Sequence, residues 1–275
     1  MRDPFLSLPA ELITNIICWL PSFPDVFAFA ATCRRHRQIW SENVTVIYNR
    51  IAPKTIRCRR DARLLLADQG GADVGSPVLS ASDVLRLVRN QHIVEKAIDQ
   101  FNRDVMCHVH SVIGGKSYYP PSGLHPPCLT PTERPRFIGS YYQLWGLMRL
   151  DPASRRQRLD SMTLKQLYRV YEMALLQQTI GDETIPAAAQ QERERGDLAG
   201  EIWNHIQCTY QRIHKREASF VGIYGLEEGF SVHYILFDHA QELVKEVVCG
   251  KLAGAPKPNP VPEESVWTPP SDDEG

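Results

Sequence analysis

Apolar residues are most concentrated between positions 5 and 40, where 21 of 36 fall in the set AVILMFWYC, against 43% for the whole chain. The pattern divides into three short pieces at helical spacing. Leu8-Pro9 opens the first: proline suits a first helical turn, where its missing N–H would have no partner, and Glu11 complements the helix dipole. Leu12, Ile13, Ile16, Ile17 and Leu20 then recur every three to four residues, the period of a helix with an apolar side. Pro21 and Pro24 are expected to stop that helix. Asp25 is expected to cap a second one beginning at Val26-Phe27, and Thr32 a third that carries Cys33, Arg34, Arg35, Ile39 and Trp40. Three helices of this length enclose little, and a unit under about 40 residues rarely folds without a partner. Apolar surface beyond what such a unit buries marks an interaction site, covered by the rest of the chain or by another protein.

Helical periodicity continues through Val44, Ile47, Tyr48 and Ile51 up to Pro53, and again from Asp61 to Gln69, where Gly70-Gly71 is a stop signal. Residues 72–81 form a Gly/Ser/Pro connector. Ser82 is expected to cap a long helix with Val84, Leu87, Val88, Val94, Ile98, Phe101 and Val105 on one broad face, running to about Val112. Six prolines between 116 and 136 predict a loop. Further helices are predicted over 137–150 (strongly aromatic), 163–178, 197–217 and 231–249, with a polar stretch at 181–196 between two of them. Alternating Val/Ile/Thr runs and Asn-Gly turns, the marks of strands, are missing. The expected fold is therefore all-α: a three-helix N-terminal domain at 5–50, an irregular helical body at 51–250, and a tail at 251–275. That tail is Pro-rich and acidic, cannot bury a core, and is expected to be disordered. No repeat of 20–50 residues is visible.

Charge and cysteine usage narrow the function. A net charge of −1 over 275 residues gives no general attraction to nucleic acid or to an anionic membrane. Between Arg34 and Arg63 nine Lys or Arg face only two acidic residues, but aromatics for base stacking are few, so a solvated helix face is preferred to a nucleic-acid footprint. No apolar run spans a bilayer and no secretory signal is evident. The seven cysteines, at 18, 33, 58, 107, 128, 208 and 249, are scattered and never spaced C-x-x-C, as expected of reduced thiols in the cytoplasm or nucleus. Cys107-His108-x-His110 and His125-x-x-Cys128 are the one group of zinc-like residue types. Their spacing is unfamiliar and adjacent helical positions point about 100° apart, so no metal and no cofactor is assigned. The elbow, phosphate-loop and dinucleotide motifs of common enzymes do not occur, and no catalytic residue is assigned. In the tail, Thr268-Pro269 and Ser271-Asp272-Asp273 have the form of kinase sites.

In order and spacing, Leu8-Pro9-x-Glu11-Leu12-Ile13-x-x-Ile16, Leu20-Pro21, Asp25-Val26 and Cys33-Arg34-Arg35 resemble an F-box. His36 stands where that family most often has Trp, and Val26-Phe27 replaces the commoner Leu pair. The layout of the whole chain is similar to helical F-box proteins of filamentous fungi. The resemblance implies a short helical module that binds a Skp-family adaptor and, through it, a cullin–RING ubiquitin ligase. It implies adaptor contacts from Leu8, Pro9, Leu12, Ile13, Ile16, Leu20, Val26, Phe27 and Cys33. The helical body would hold an unknown protein target, with the Pro-rich loop, the aromatic helix and the tail around Trp267 as candidate contacts. Lacking the paired cysteines of a RING, the chain would present substrate without itself transferring ubiquitin. The alternatives are a scaffold that binds the adaptor alone and a zinc-binding helical protein.

Overall fold

The first three helices each start where a side chain or a proline relieves their unpaired N–H groups. The structure, a computed structural model, describes residues 8–106, 126–179 and 188–214 together with Leu236 and Asp238. Helix α1 (Ala10–Cys18) follows Pro9. Helix α2 (Phe23–Ala31) is capped by Ser22, whose hydroxyl accepts the Asp25 N–H at 3.4 Å and donates to the Asp25 carboxylate at 2.5 Å. Asp25 is therefore the acid of the cap, and Pro24 lies in the first turn of α2, which tolerates proline, instead of ending α1. Helix α3 (Arg34–Glu42) is capped by the Cys33 thiol, which accepts the His36 N–H at 3.4 Å. Thr32, the expected cap, turns its hydroxyl back to the Phe29 carbonyl at 2.7 Å.

Asn43 separates α3 from α4 (Val44–Thr55), which runs across the domain boundary expected at residue 50. Pro53 sits in its last turn and does not end it, because the Ile56 N–H still reaches the Ala52 carbonyl at 2.8 Å. Helix α5 (Arg59–Asp68) closes with Gly70 at φ +77°, donating to the Ala67 carbonyl, while Gly71 donates to Leu66, both at 2.9 Å. This pattern satisfies the last carbonyls through a left-handed residue that glycine adopts without a Cβ penalty. Gly71 answers a different need: a Cβ there would lie 2.6 Å from the Leu66 side chain and 2.9 Å from Asp83 Oδ1.

Helix α6 (Ala81–Phe101) is capped by Ser80 in place of Ser82. The Ser80 hydroxyl accepts the Asp83 N–H at 3.1 Å, and Asp83 Oδ2 accepts the Ser80 N–H at 3.0 Å. Side chains of α6 then close the ends of earlier helices. Gln91 donates to the Thr55 carbonyl at 2.6 Å and Arg86 to the Gln69 carbonyl at 2.8 Å. Arg63 holds the connector through the carbonyls of Asp73 at 2.7 Å and Ser76 at 2.9 Å. Ile13, Ile17, Val26, Ile47, Leu65, Val84 and Leu87 form the core. Because these ties run through α6, the first compact unit extends to Val94 and the second begins at Glu95.

In the second unit α6 passes into one π-helical turn (Asn102–Met106). Among the described residues four helices follow: α7 (Glu133–Arg149), α8 (Pro152–Ser161), α9 (Leu164–Thr179) and α10 (Ala188–His214). The Pro-rich loop ends earlier than expected because Thr130 and Glu133 cap α7 reciprocally: Glu133 N–H to Thr130 Oγ1 at 3.2 Å, and Thr130 N–H to Glu133 Oε2 at 2.9 Å. Pro135 then falls in the first turn. Helix α8 was not expected. It forms because Asp151 accepts the N–H groups of Ala153 at 3.0 Å and Ser154 at 3.2 Å, with Pro152 at the first helical position. Helix α7 buries Phe137, Ile138, Tyr141, Tyr142, Leu144 and Leu147, so the aromatic helix is core and not an exposed binding face. Helix α10 begins at Ala188, so the polar stretch at 181–196 is helical from that residue on.

All regular structure among the described residues is helical, as the sequence pattern predicts. The expected helix end near Val112, the rest of the Pro-rich loop, the helix at 231–249 and the tail at 251–275 lie outside the described residues.

Asp83 joins three of these features, and its titration reports on them. Burial acts to raise its carboxyl, but bonds from the Ser80 hydroxyl and N–H, the Ala72 N–H and the nearby Arg86 outweigh that and hold it below the usual range. A carboxyl depressed in the folded state stabilises above its unfolded value and loses that contribution as pH falls through the folded value. Asp83→Asn is therefore expected to cost about 1 kcal/mol near pH 7. It should also flatten the loss of stability below about pH 4, read by urea unfolding at a series of pH values.

Candidate docking surface

Helix α1 carries apolar side chains on two faces. At about 100° per residue, Leu12, Ile16 and Trp19 fall within an arc of roughly 60°, centred about 110° from Ile13 and Ile17. Ile13 and Ile17 are fully enclosed, and Thr14 beside them returns its hydroxyl to the Ala10 carbonyl at 2.9 Å. The other face stays open: Leu12 is 49% exposed and Trp19 76%, with Ile16 half-buried between them. Such an outward stripe is not required by the fold, which already has its core from the opposite side.

Helices α2 and α3 pack closely on each other, and α3 also on α1. Val26 is enclosed, while Phe27 is half-buried and bridges Phe23 at 6.2 Å and Trp40 at 5.9 Å between ring centroids. Phe29 stacks on His36 at 4.3 Å. The one Thr32 hydroxyl proton goes to the Phe29 carbonyl, so in the 2.8 Å contact of Thr32 with His36 Nδ1 the ring nitrogen is the donor. His36 at this position therefore packs as a flat ring in place of a larger aromatic.

Arg35 donates to the Leu8 carbonyl at 2.5 Å across 27 residues of sequence. This bond ties the segment entering α1 to the first turn of α3. It holds exposed Pro9 and half-buried Leu8 near half-buried Cys33. The thiol of Cys33 is already used as the cap of α3.

The nine residues expected at an adaptor contact thus divide. Leu8, Pro9, Leu12, Ile16, Leu20, Phe27 and Cys33 keep exposed surface. Ile13 and Val26 do not: with 0% exposure they lie inside the unit, since they face the core on the opposite side of their helices. They support the surface from beneath. Trp19 was missed by sequence reasoning, although its position seven residues after Leu12 returns it to the same helical face. The Arg50 guanidinium lies over its ring at 5.6 Å, a contact that steadies an exposed indole.

Within the basic stretch, Arg35 and Arg63 are engaged with backbone carbonyls and Arg50 with Trp19. Cys18 is half-buried beside the stripe; burial pushes its thiol up, with Arg50 offsetting part of the effect, so it is not a reactive thiolate. Of the zinc-like group only Cys128 is among the described residues, and it is exposed. No group of three metal-ligating side chains occurs among the described residues, and no described helix is long and apolar enough to cross a membrane. Compared with protein-family models, with curated proteins and with solved structures, the chain matches none.

Neighbouring residues of α1 should respond oppositely to truncation. Ile13→Ala opens a cavity in the core and is expected to cost about 2–5 kcal/mol. Leu12→Ala removes a side chain half in water and is expected to change stability by no more than about 0.5 kcal/mol. Denaturant unfolding of both variants checks the division between core and surface.

Proposed function

We propose that the chain is an F-box adaptor whose N-terminal helices dock on a Skp-family protein and whose helical body presents a target protein to a cullin–RING ubiquitin ligase. The observation that carries this reading is the second apolar face of α1, Leu12, Ile16 and Trp19, in a unit where the Arg35–Leu8 bond ties the segment entering α1 to α3. The residues that resemble the F-box in sequence are separated by up to 27 positions, yet they belong to one packed trio of helices with an outward apolar stripe. A stripe of this kind suits the apolar groove of a helical partner.

In this role no bond is made or broken by the chain. It raises the effective concentration of a substrate lysine near a charged conjugating enzyme, so catalysis is by proximity and orientation. Adaptor affinity is concentrated in the few side chains that are exposed in the free chain and enclosed on docking. By exposure, Leu12 and Trp19 head that group, and Ile13 and Val26 serve only to hold α1 and α2 in place.

Co-expression with a Skp adaptor and a cullin tests the reading. Wild type is expected to recover both partners, and Leu12→Asp/Trp19→Ala to lose at least tenfold of the adaptor while keeping its melting temperature. Recovery of the adaptor without the cullin would replace the ligase role by a scaffold role. Folded wild type that recovers neither, or a double variant that recovers the adaptor undiminished, would sink the proposal.

A further inference from the structure

Two glutamates of the second unit, Glu133 on α7 and Glu172 on α9, are fully buried. Each accepts a backbone N–H from the same short stretch of chain: Glu172 from Leu236 at 3.1 Å and Glu133 from Asp238 at 2.9 Å. Arg136, one turn into α7, donates to the Leu236 carbonyl at 2.7 Å and pairs with the Asp238 carboxylate. The hydroxyls of Thr130 and Thr132 donate to the other oxygen of Asp238 at 2.8 and 2.6 Å. The Leu236 side chain is enclosed.

Side chains here do what a neighbouring strand does in a sheet: they satisfy alternate N–H groups of a peptide and the carbonyl between them. Backbone reading of this kind is indifferent to residue identity. Selection comes from the two flanking positions, an enclosed apolar pocket for leucine and a cationic, hydroxyl-lined clamp for a carboxylate, one residue apart. Hydrogen bonds to ionised groups are the stronger class. Glu133 is itself held by the Thr130 N–H, which leaves its other oxygen aimed at the segment. Burial acts to raise the Asp238 carboxyl, but the bonds from Thr132, Arg136 and Thr130 outweigh it and hold the group below the usual range.

We propose that this cradle is a peptide-recognition site, filled here in cis by Leu236-x-Asp238, whose partner is a protein segment with the same leucine-x-aspartate chemistry that binds by displacing it. The inference rests on α7 and α9 and is independent of how the N-terminal surface is read. Because the resident segment is tethered, its effective concentration is of millimolar order. The competing segment therefore sees an affinity reduced by the small fraction of open cradles.

The probe is a fluorescent peptide of sequence YILFDHAQ, residues 234–241, titrated into the full chain and followed by anisotropy. Leu236→Ala/Asp238→Ala vacates the cradle and is expected to bind the probe at least tenfold more tightly than wild type. A peptide with both key residues replaced by alanine should not bind, and adding Arg136→Ala to the double variant should abolish probe binding. A double variant with an unchanged helical circular-dichroism spectrum that binds probe and control peptide alike overturns the proposal. If that variant loses its helical spectrum, Asp238→Asn replaces it, and wild type with excess probe is the last arm. No saturable binding to either overturns the proposal equally.

Discussion

A nine-residue helix that is apolar on two faces can turn only one of them inward. That constraint on α1 organises the N-terminal unit. Ile13 and Ile17 take the interior and, with Val26, Ile47 and Ile51, complete a core that needs nothing more from α1. Leu12, Ile16 and Trp19 are left on the water side, where apolar area has no folding reason to be. The Arg35–Leu8 bond then ties the segment entering α1 to the first turn of α3. Stability and docking draw on adjacent residues of one helix without competing for the same side chains.

The second unit solves a different problem. Its helix α7 is apolar around most of its circumference, and its N-terminus is anchored by a buried carboxylate that serves two purposes. Glu133 closes its own helix through Thr130 and reaches out to the Asp238 N–H with its second oxygen. Such a group is tolerable inside a protein only when its lone pairs are met by donors. Here one donor is the Thr130 N–H three residues back and the other the Asp238 N–H 105 residues on. The same logic of hydrogen-bonded ends governs α6, where Ser80 and Asp83 cap one helix while Arg86 and Gln91 close two others.

Periodicity made the helices legible, because an apolar stripe at 3.6-residue spacing leaves a mark whatever the tertiary setting. Caps were harder to read. Ser22 and Ser80 act three and two residues before the expected Asp25 and Ser82, and Cys33 one residue after the expected Thr32, since the choice among neighbouring residues depends on where the chain enters. Prolines misled twice in the same way: Pro24 and Pro135 look like breakers but sit in first turns, where a missing N–H costs nothing. The division of α1 into core and surface was out of reach, because Leu12 and Ile13 are alike in chemistry and differ only in direction. The contact of Leu236 and Asp238 with Glu172 and Glu133 left no local mark at all, its partners being 64 and 105 residues apart.

Amide hydrogen exchange of the full chain, free and with a purified Skp-family adaptor, tests the central claim most directly. The account expects slowed exchange confined to residues 8–20 and to the α2–α3 segment around Phe27 to Arg35, with α7 and α9 unchanged. Exchange over α1 that is the same with and without the adaptor would contradict it, and residues 8–40 would then be ordinary folding helices with a solvated apolar stripe.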